Sequence, residues 1–260
     1  MSHESRIIDM VLDGQPSRIV LGPLAALELS RFIPQPPPVY IVDEAVARLQ
    51  PAWLEQLQHG CDPDRSGTLV LAGGEPVKQL QTLAGIYAWL AERAVPRDGT
   101  IVGIGGGALL DAAGFAAATW QRGIGWVSVP TTLLAMIDAA IGGKTAINAA
   151  GLKNQVGAFH PAAGIMVDCG FLVSLPRAGW RDGLAEMVKT AVIGDPGLFV
   201  ELESSRDELR RMFGPDSARM PRLSAVCSEH CPGGPGWVVP RRSRRISSAG
   251  ISTSMDRVAP

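Results

Sequence analysis

Residues 100–119 read Thr100-Ile-Val-Gly-Ile-Gly-Gly-Gly-Ala-Leu-Leu-Asp-Ala-Ala-Gly-Phe-Ala-Ala-Ala-Thr119. The apolar run Thr100–Ile104 predicts a buried strand, and Ala108–Thr119 predicts the helix that follows it. Glycines between them let backbone N–H groups approach a phosphate, which the positive end of the helix dipole also favours. The stretch therefore predicts a strand–turn–helix unit that binds phosphate. The alternative is a glycine-rich turn that only packs closely, which would have the same sequence pattern.

An acidic side chain, Asp111, stands one turn into this predicted helix. A carboxylate that pointed at a phosphate would repel it, so Asp111 is expected to accept a hydrogen bond from a ribose or substrate hydroxyl, or to cap the helix. The spacing of Gly103, Gly105 and Ala108 satisfies a dinucleotide fingerprint. No acid follows at the usual distance of about 20 residues, so the fingerprint alone is a weak signal.

Outward from this unit, short apolar runs alternate with helical patterns, which is typical of βαβ units and a parallel sheet. A β-hairpin or two edge strands are expected before them, because Gly14-Gln15-Pro16 separates the apolar runs Ile7–Leu12 and Ser17–Leu21. Residues 131–161 are rich in Gly, Ala and isolated Lys and predict a long functional loop. The other predicted elements are Val39–Val42, Glu44 to about Leu57, Thr68–Leu71, Val77–Arg93, Trp126–Val129, Gly164–Asp168, Trp180–Ile193 and Gly197–Leu209.

This pattern predicts an α/β fold with an N-terminal Rossmann-like parallel-sheet domain, followed by the start of an all-helical C-terminal domain. The expected ranges are residues 1–176 for the first domain and residues 177–213 for the first helices of the second. Residues 214–260 show no periodicity, and Cys231-Pro-Gly-Gly-Pro-Gly-Trp237 excludes regular structure there. The tail is therefore expected to be irregular and disordered.

The composition argues against several classes of protein. Hydrophobic residues make up 46% and charged residues 19% of the 260-residue chain, which is typical of a globular protein. A net charge of −1 gives no reason to expect nucleic acid or an anionic membrane as a partner, and no apolar run approaches the ~18 residues of a membrane span. With no apolar leader and four scattered cysteines, the chain is expected to be cytoplasmic with reduced thiols.

Two stretches between residues 129 and 161 combine cationic and polar side chains with small residues. Lysine ammonium groups suit phosphate or carboxylate, Asp and Asn suit hydroxyl groups, and small residues let a ligand approach closely. A polyhydroxylated anionic substrate fits this mixture, and a solvated loop with ordinary surface lysines is the alternative. The stretches are Val129-Pro-Thr-Thr-Leu-Leu-Ala-Met-Ile-Asp-Ala-Ala-Ile-Gly-Gly-Lys-Thr-Ala-Ile-Asn148 and Gly151-Leu-Lys-Asn-Gln-Val-Gly-Ala-Phe-His-Pro161.

In order and spacing, these motifs resemble the 3-dehydroquinate synthase family. The resemblance rests on the glycine turn with Asp111, on Arg122-Gly123, on the two stretches above and on Gly183-Leu-Ala-Glu-Met-Val-Lys189. It runs from about Val39 to Glu203. It implies an enzyme that uses NAD and a divalent metal, zinc or cobalt, acts on a small sugar phosphate, and forms a homodimer when the family member is complete.

The resemblance also implies roles for individual residues. Glu186 matches the carboxylate metal ligand, and it lies three residues before Lys189, so the two share one face of the predicted helix. The implied substrate and catalytic contacts are Arg122, Asp138, Lys144, Asn154 and Lys189. The implied NAD contacts are Asp43, Glu75, Lys78, Gly106, Gly107, Asp111, Thr131, Thr132, Lys144, Lys153, Phe171 and Ser174.

The implied reaction is the cyclisation of 3-deoxy-arabino-heptulosonate 7-phosphate to 3-dehydroquinate, in the shikimate pathway to aromatic amino acids. Oxidation of one carbinol acidifies the neighbouring C–H, so phosphate leaves by β-elimination. NADH then returns the hydride to the substrate, and the enol pyranose ring opens and closes by an aldol step. The metal would polarise the transient carbonyl, and the redox chemistry belongs to the cofactor.

The sequence departs from the family pattern where two histidine metal ligands are expected. The family has them after the Glu186 helix, the first in a Gly-His-Thr-x-Gly-His motif, whereas this chain has only His3, His59, His160 and His230. After about Phe213 the sequence no longer resembles the family, and its composition shifts to Arg, Ser, Pro and Gly. This change resembles translation in a shifted reading frame. The metal site is therefore expected to be incomplete, the C-terminal domain truncated and the activity impaired. A truncated, inactive synthase-like protein and a fragment of an active gene with a sequencing error are the two explanations.

Three alternatives to a 3-dehydroquinate synthase stay open at this point. The first is an aminodehydroquinate synthase or another sugar phosphate cyclase, because the chain has Asp138-Ala-Ala where the resemblance leads one to expect Ser or Ala-Ser. A non-catalytic NAD-binding or regulatory paralogue is the second. An iron- or zinc-dependent polyol dehydrogenase shares the Gly-Gly-Gly-x3-Asp turn, but the block from Asp138 to Asn154 disfavours it.

Overall fold

A computed structural model describes residues 6–22, 37–58 and 66–213 of the chain. Within these ranges the chain forms a seven-stranded sheet and a separate two-stranded hairpin. The strands are β1 (Arg6–Leu12), β2 (Gln15–Leu21), β3 (Val39–Asp43), β4 (Thr68–Leu71), β5 (Thr100–Gly105), β6 (Gly125–Pro130), β7 (Lys144–Ala149), β8 (Leu152–Phe159) and β9 (Gly164–Val167).

Helices connect the parallel strands and continue the chain after the sheet. None of the described helices is long and apolar enough to cross a membrane. The α-helices are α1 (Glu44–Leu49), α2 (Pro51–Gln58), α3 (Leu80–Glu92), α4 (Gly107–Thr119), α5 (Arg177–Gly194), α6 (Pro196–Ser204) and α7 (Arg206–Phe213). The shorter turns are 3₁₀ turns at Glu75–Val77, Trp120–Arg122 and Cys169–Ser174, and a π-helical turn at Ala135–Ala139.

The large sheet has the strand order β1-β2-β9-β6-β5-β3-β4. Only β1 runs antiparallel to its neighbour within this sheet. From β3, the chain first adds β4 on one side and then returns to add β5 and β6 on the other. Such a reversal opens a crevice outside the carboxyl ends of the two central strands, where α/β proteins bind their ligands. The fold therefore points to the ends of β3 and β5 as the place for a site.

Helix α4 packs between β5 and β6 of the large sheet on one side and the β7–β8 hairpin on the other. Most of its residues are buried, and they are largely alanine, leucine and glycine. A Cβ atom at Gly114 would lie 2.5 Å from the Thr145 side chain and 2.9 Å from the Trp126 ring. Glycine at this position therefore lets the hairpin approach α4 closely.

The predicted α/β class, the mostly parallel sheet and the N-terminal hairpin are confirmed. The hairpin turn is Asp13-Gly14, with φ of 48° and 75°, and Pro16 lies inside β2 opposite Val11. The prediction of a long loop over residues 131–161 was wrong, because β7 and β8 form a second hairpin there. Its turn is Ala150-Gly151, both with positive φ, and alanine gives little sign of that conformation in a sequence.

Two predicted helices are each divided in the structure. The helix expected from Glu44 to about Leu57 is α1 and α2, because Pro51 has no N–H and disfavours a helical conformation at Gln50. The helix expected over Gly197–Leu209 is α6 and α7, and the break falls at Ser205. The predicted tail, residues 214–260, lies outside the described residues, and the two domain boundaries stay predictions.

The expectation of reduced thiols was wrong at Cys169, which is disulfide-bonded in the structure. Whether two cysteines pair depends on the distance between their Cα atoms in the folded chain. The number and spacing of cysteines in the sequence do not give that distance.

The close contact at Gly114 predicts a large effect of adding a side chain there. Gly114→Val should lower the free energy of unfolding by about 2–3 kcal/mol, because the added methyl groups overlap the Thr145 and Trp126 side chains. Gly85→Val is the matched control, since a Cβ at this position in α3 meets no atom within 4 Å. Urea denaturation of both variants is the measurement, and equal stabilities would contradict this account of α4 packing.

Candidate nucleotide and substrate site

The glycine turn after β5 leaves the first turn of α4 open. Gly106 is the N-cap of α4, and no side chain caps this helix end. Thr131 donates its backbone N–H to the Gly105 carbonyl at 2.9 Å, which fixes the turn against the end of β6. A Cβ at Gly106 would lie 3.2 Å from the Thr132 methyl group, and one at Gly107 would lie 3.0 Å from Ala139. The turn can therefore present free backbone N–H groups to an anion.

Asp43 lies beside this turn, at the carboxyl end of β3. Its carboxylate accepts the Ala45 N–H at 2.8 Å and so caps α1. Gly105 approaches from β5, where a Cβ would be 3.1 Å from the Asp43 Cβ atom, and a Cβ at Gly73 would overlap the carboxylate. The acid therefore occupies the crevice between the ends of β3, β4 and β5, where the strand order reverses.

Lys78 is the best-buried cation of the described residues, only 4% exposed. Its ammonium group donates to the Asp111 carboxylate and to the Asn154 side-chain oxygen. Burial raises the pKa of Asp111 above its usual range, and the hydrogen bond and charge of Lys78 oppose that rise. The structure thus joins residues from the segment before α3, from α4 and from β8 in one charged cluster.

Glu75 forms a second cluster next to the first, closer to solvent. Its carboxylate accepts the Asn148 side-chain amide at 2.8 Å, and the Lys153 ammonium lies 3.7 Å away. The Asn148 hydrogen bond is the main reason why the pKa of Glu75 lies below its ordinary value, and the lysine charges add to it. Five of the residues singled out from sequence therefore already contact one another or share a partner: Glu75, Lys78, Asp111, Lys153 and Asn154.

Asn148 belongs to this cluster, although its motif marks it only as one of the asparagines suited to a hydroxyl group and the resemblance implied no individual contact for it. It lies on β7 among small and apolar residues, within a motif whose lysine and aspartate were more conspicuous. Its backbone N–H donates to the Lys78 carbonyl, which brings it to the segment of Glu75, and an irregularity in the β7–β8 pairing beside it brings the Asn154 backbone to its side chain. A strand pattern in a sequence does not report such a bulge when no glycine marks it.

Phe171 and Ser174 lie in the 3₁₀ turn after β9, and they differ in what they can contact. The Phe171 ring is buried and packs edge-on against Trp53, with ring centroids 4.7 Å apart. Ser174 is exposed and donates its hydroxyl to the Phe171 carbonyl at 3.0 Å. The Phe171 side chain therefore serves the core, and Ser174 is the member of this pair that a ligand can reach.

Helix α5 carries Glu186 and Lys189 and packs against the segment that contains Asp138. A Cβ at Gly183 would lie 2.5 Å from the Leu133 side chain, so glycine permits this close approach. Lys189 donates to the Glu186 carboxylate, and the predicted shared face is thus occupied by an ion pair. Asp138 is exposed in the π-helical turn, an uncommon geometry that is frequent at functional sites.

Lys144 is exposed at the start of β7, directly after two glycines with positive φ. The His160 backbone N–H donates to the Gly143 carbonyl at 2.7 Å, which fixes this start. The His160 ring donates its Nε2–H to the Ile124 carbonyl at 2.9 Å and so has a structural contact. Lys144 is therefore held by the backbone around it while its side chain stays accessible.

Arg122 is not brought to this group by the fold. It follows the carboxyl end of α4, about 18 Å along that helix from the glycine turn. Its side chain is exposed and its φ is 67°. Within one chain, the substrate contact implied at Arg122 therefore lies at the opposite end of the sheet from the other site residues.

A metal site is incomplete in the part of the chain that the structure describes. No group of three or more His, Cys, Asp and Glu side chains comes together there. Glu186 pairs with Lys189 instead. The other three histidines, His3, His59 and His230, lie outside the described residues.

Comparisons with known proteins show which enzymes the chain resembles. Residues 68–182 match the family model described as 3-dehydroquinate synthase N-terminal. The 3-dehydroquinate synthase of Xanthomonas axonopodis pv. citri is 38% identical over 235 residues, which are 88% of this chain and 62% of that relative. This chain spans 38–62% of the length of several curated synthases that it matches.

Two solved structures of synthases superpose on this fold. ValA, a 2-epi-5-epi-valiolone synthase from Streptomyces hygroscopicus subsp. jinggangensis with NAD⁺ and Zn²⁺ bound, gives a TM-score of 0.62 at 31% identity, covering 74% of this chain and 52% of its own. A 2-deoxy-scyllo-inosose synthase with carbaglucose-6-phosphate, NAD⁺ and Co²⁺ gives 0.62 at 25% identity, covering 73% and 52%.

The buried ion pair predicts a pH-dependent loss of stability when Lys78 is removed. Lys78→Met should lower the free energy of unfolding by about 3 kcal/mol or more at neutral pH, because Asp111 is left buried and charged without its cation. The pKa of Asp111 is already raised, and it rises further without Lys78, so the folded chain then binds a proton more readily than the unfolded chain. The loss should therefore shrink as the pH falls through that pKa.

Lys153→Met is the matched control for this experiment. The Lys153 side chain is 75% exposed and its ion pair with Glu75 is long, so the change in stability should stay within about 0.5 kcal/mol. Thermal or urea unfolding between pH 5 and pH 8 is the measurement. Equal losses for both variants, or a loss for Lys78→Met that grows at low pH, would contradict the assignment.

Proposed function

We propose that this chain, whose residues 68–182 match the family model described as 3-dehydroquinate synthase N-terminal, provides the NAD-binding part of an enzyme that cyclises 3-deoxy-arabino-heptulosonate 7-phosphate to 3-dehydroquinate with elimination of phosphate. The observation that carries the proposal is the convergence of Lys78, Asp111 and Asn154 beside the glycine turn. These side chains supply a cation, a carboxylate and an amide at the crevice where α/β folds bind ligands. A hydroxyl-rich anion matches such a set.

The residues around the turn fit NAD. The open first turn of α4, with glycines at positions 106 and 107, suits the pyrophosphate, because a side chain there would fill the space toward Thr132 and Ala139. Asp43 and Glu75 are carboxylates at the same edge of the sheet and can accept hydrogen bonds from ribose hydroxyls. When bound, the cofactor would supply a reversible hydride transfer at one carbinol of the substrate.

The cluster around Lys78 can handle the protons of a neighbouring hydroxyl. The Lys78 ammonium is a donor, and the Asp111 carboxylate beside it is an acceptor whose raised pKa makes it a better proton acceptor than an exposed aspartate. Lys78 is almost fully buried and Asp111 mostly buried, which strengthens their interactions with a ligand. Asn154 can orient a hydroxyl group through its side-chain amide.

Lys144 and Lys189 are the accessible cations that suit the phosphate and carboxylate of the substrate. Both side chains are exposed, and Lys189 is on the helix that packs against the Asp138 segment. An ammonium group binds such anions as a point charge and can swing from its ion pair with Glu186 toward a ligand. The role assigned to Arg122 and the homodimer implied by the resemblance stay predictions.

A resident metal fits the described residues poorly. Glu186 is one carboxylate, and a catalytic zinc site takes three protein ligands and an open position. No step of the chemistry proposed for this chain is therefore assigned to a metal. Glu186 instead serves to hold Lys189 on the face of α5.

A related cyclase of another sugar phosphate is the second candidate. The observation that favours it is the similarity to 2-epi-5-epi-valiolone synthase and 2-deoxy-scyllo-inosose synthase, whose structures superpose over about three quarters of this chain. The two candidates share the cofactor and differ in the sugar phosphate that they bind as substrate. Binding of a panel of sugar phosphates to the NAD-loaded chain separates them.

The glycine turn predicts how the chain binds its cofactor. Isothermal titration of the whole chain with NAD⁺ should give saturable binding, and Gly106→Val should abolish it, because the valine side chain occupies the space before the α4 N-terminus. Gly85→Val, in the exposed face of α3, should bind NAD⁺ like the unchanged chain. Equal affinity in the Gly106→Val variant would show that this turn is not the pyrophosphate site.

The sparse metal ligands predict that this 260-residue chain turns over slowly. Phosphate release from the heptulosonate phosphate, with NAD⁺ and Zn²⁺ or Co²⁺ added, should fall at least about a hundredfold below that of a complete synthase, since Lewis acidity and orientation are both lost. The synthase of Xanthomonas axonopodis pv. citri is the reference enzyme. Comparable turnover would mean that residues outside the described ranges supply the ligands.

A further inference from the structure

Asn148 contacts three of the residues implied in cofactor and substrate binding. It is half-buried near the end of β7. Its backbone N–H donates to the Lys78 carbonyl at 2.8 Å, and its side-chain Nδ2 donates to Glu75 Oε1 at 2.8 Å. Its Oδ1 accepts the backbone N–H of Asn154 at 2.9 Å. One residue therefore links both charged clusters of the site.

An irregularity in the hairpin explains how Asn148 reaches these partners. The β7–β8 register holds at Ile147 opposite Val156 and resumes at Ala149 opposite Leu152. Asn148 thus faces the three residues 153–155, and the extra chain bulges toward it. The bulge brings the backbone of β8 within reach of the Asn148 side chain.

Asn154 lies in this bulge in a left-handed conformation, with φ of 56°. Asparagine tolerates that conformation better than most residues, but it still needs support from its surroundings. The Asn148 oxygen satisfies the Asn154 N–H in the bulge, and the Asn154 side chain then accepts from Lys78. The conformation that places the Asn154 amide at Lys78 is therefore supported by Asn148.

The side-chain amide of Asn148 is suited to both of its contacts because it has a donor and an acceptor. The donor faces the Glu75 carboxylate and helps keep it ionised, together with Lys153 and Lys78 nearby. The acceptor faces a backbone N–H. A carboxylate would offer only acceptors and a hydrocarbon side chain neither group.

We propose that Asn148 is a positioning residue of the site, which fixes Glu75 and the left-handed Asn154, and through Asn154 the amide that meets Lys78. The role rests on the proposed NAD-binding function, because Glu75 and Lys78 are expected to contact the cofactor. Asn148 acts on the ligand through these neighbours and needs no contact with it.

Three variants of the whole chain separate the two contacts. Asn148→Ala removes both of them, and Asn148→Asp keeps the acceptor for Asn154 but sets a carboxylate against Glu75. Gln155→Ala, at an exposed side chain of β8 next to Asn154, is the control. The other charged groups around Glu75, namely Lys78, Lys153 and Asp111, are the same in every variant.

The first measurement is NAD⁺ affinity by isothermal titration between pH 5 and pH 8. Asn148→Ala should weaken binding at least about tenfold at pH 7.5, because a hydrogen bond to a charged group is lost. Asn148→Asp should weaken it as well and should recover as the pH falls, since one proton shared by the facing carboxyl groups restores a donor. Gln155→Ala should bind like the unchanged chain at every pH, and a purely structural role of Asn148 predicts no such recovery.

The second measurement needs no ligand. Amide hydrogen exchange of residues 152–156, followed by mass spectrometry, should be faster in Asn148→Ala than in the unchanged chain and close to normal in Asn148→Asp, which keeps the acceptor. Normal exchange in Asn148→Ala, or undiminished NAD⁺ affinity in that variant, would overturn the positioning role. An unchanged chain that binds no NAD⁺ would instead overturn the proposed function, and the exchange rates would still decide whether Asn148 supports the Asn154 conformation.

Discussion

The buried ion pair between Lys78 and Asp111 is the interaction on which the geometry of the site depends. It joins the segment before α3 to helix α4, and the shared hydrogen bond with Asn154 adds the β7–β8 hairpin. Because a buried ammonium without a counter-charge is costly, these segments stay together even without a ligand. A ligand that enters the site therefore meets polar groups that are already ordered, and it must exchange some of their mutual contacts for its own.

Small residues at the contacts between elements make this arrangement possible. Gly114 lets the hairpin lie close to α4, and Gly183 lets α5 approach Leu133. The first contact sets the position of Lys144 and Asn154, and the second that of Glu186 and Lys189. Glycines that have no side chain to offer a ligand thus help decide where the charged groups lie, because packed interiors tolerate little added volume.

Much of the fold could be predicted because buried parallel strands and their connecting helices leave regular patterns in the sequence. The predictions of secondary structure were wrong where the local sequence signal was weak, or where a single residue interrupted an otherwise regular pattern. The β7–β8 hairpin turns at Ala150-Gly151, and alanine is an uncommon residue at positive φ. The break at Pro51 has a visible signal in the proline itself, whereas no proline or glycine marks the break at Ser205. The disulfide at Cys169 depends on distances that only the folded chain defines.

The sequence by itself determined the glycine turn, the place of Asp111 one turn into α4, and the spaced motifs that the family model also matches over residues 68–182. These features are local, so the order of residues specifies them directly. Only the tertiary structure decided that Asp111 pairs with Lys78, that Asn148 holds Glu75 and Asn154, that the Phe171 ring faces Trp53, and that Arg122 lies at the far end of α4. Periodicity shows which side of one element a residue faces, but the partner on that side depends on how the elements pack against one another.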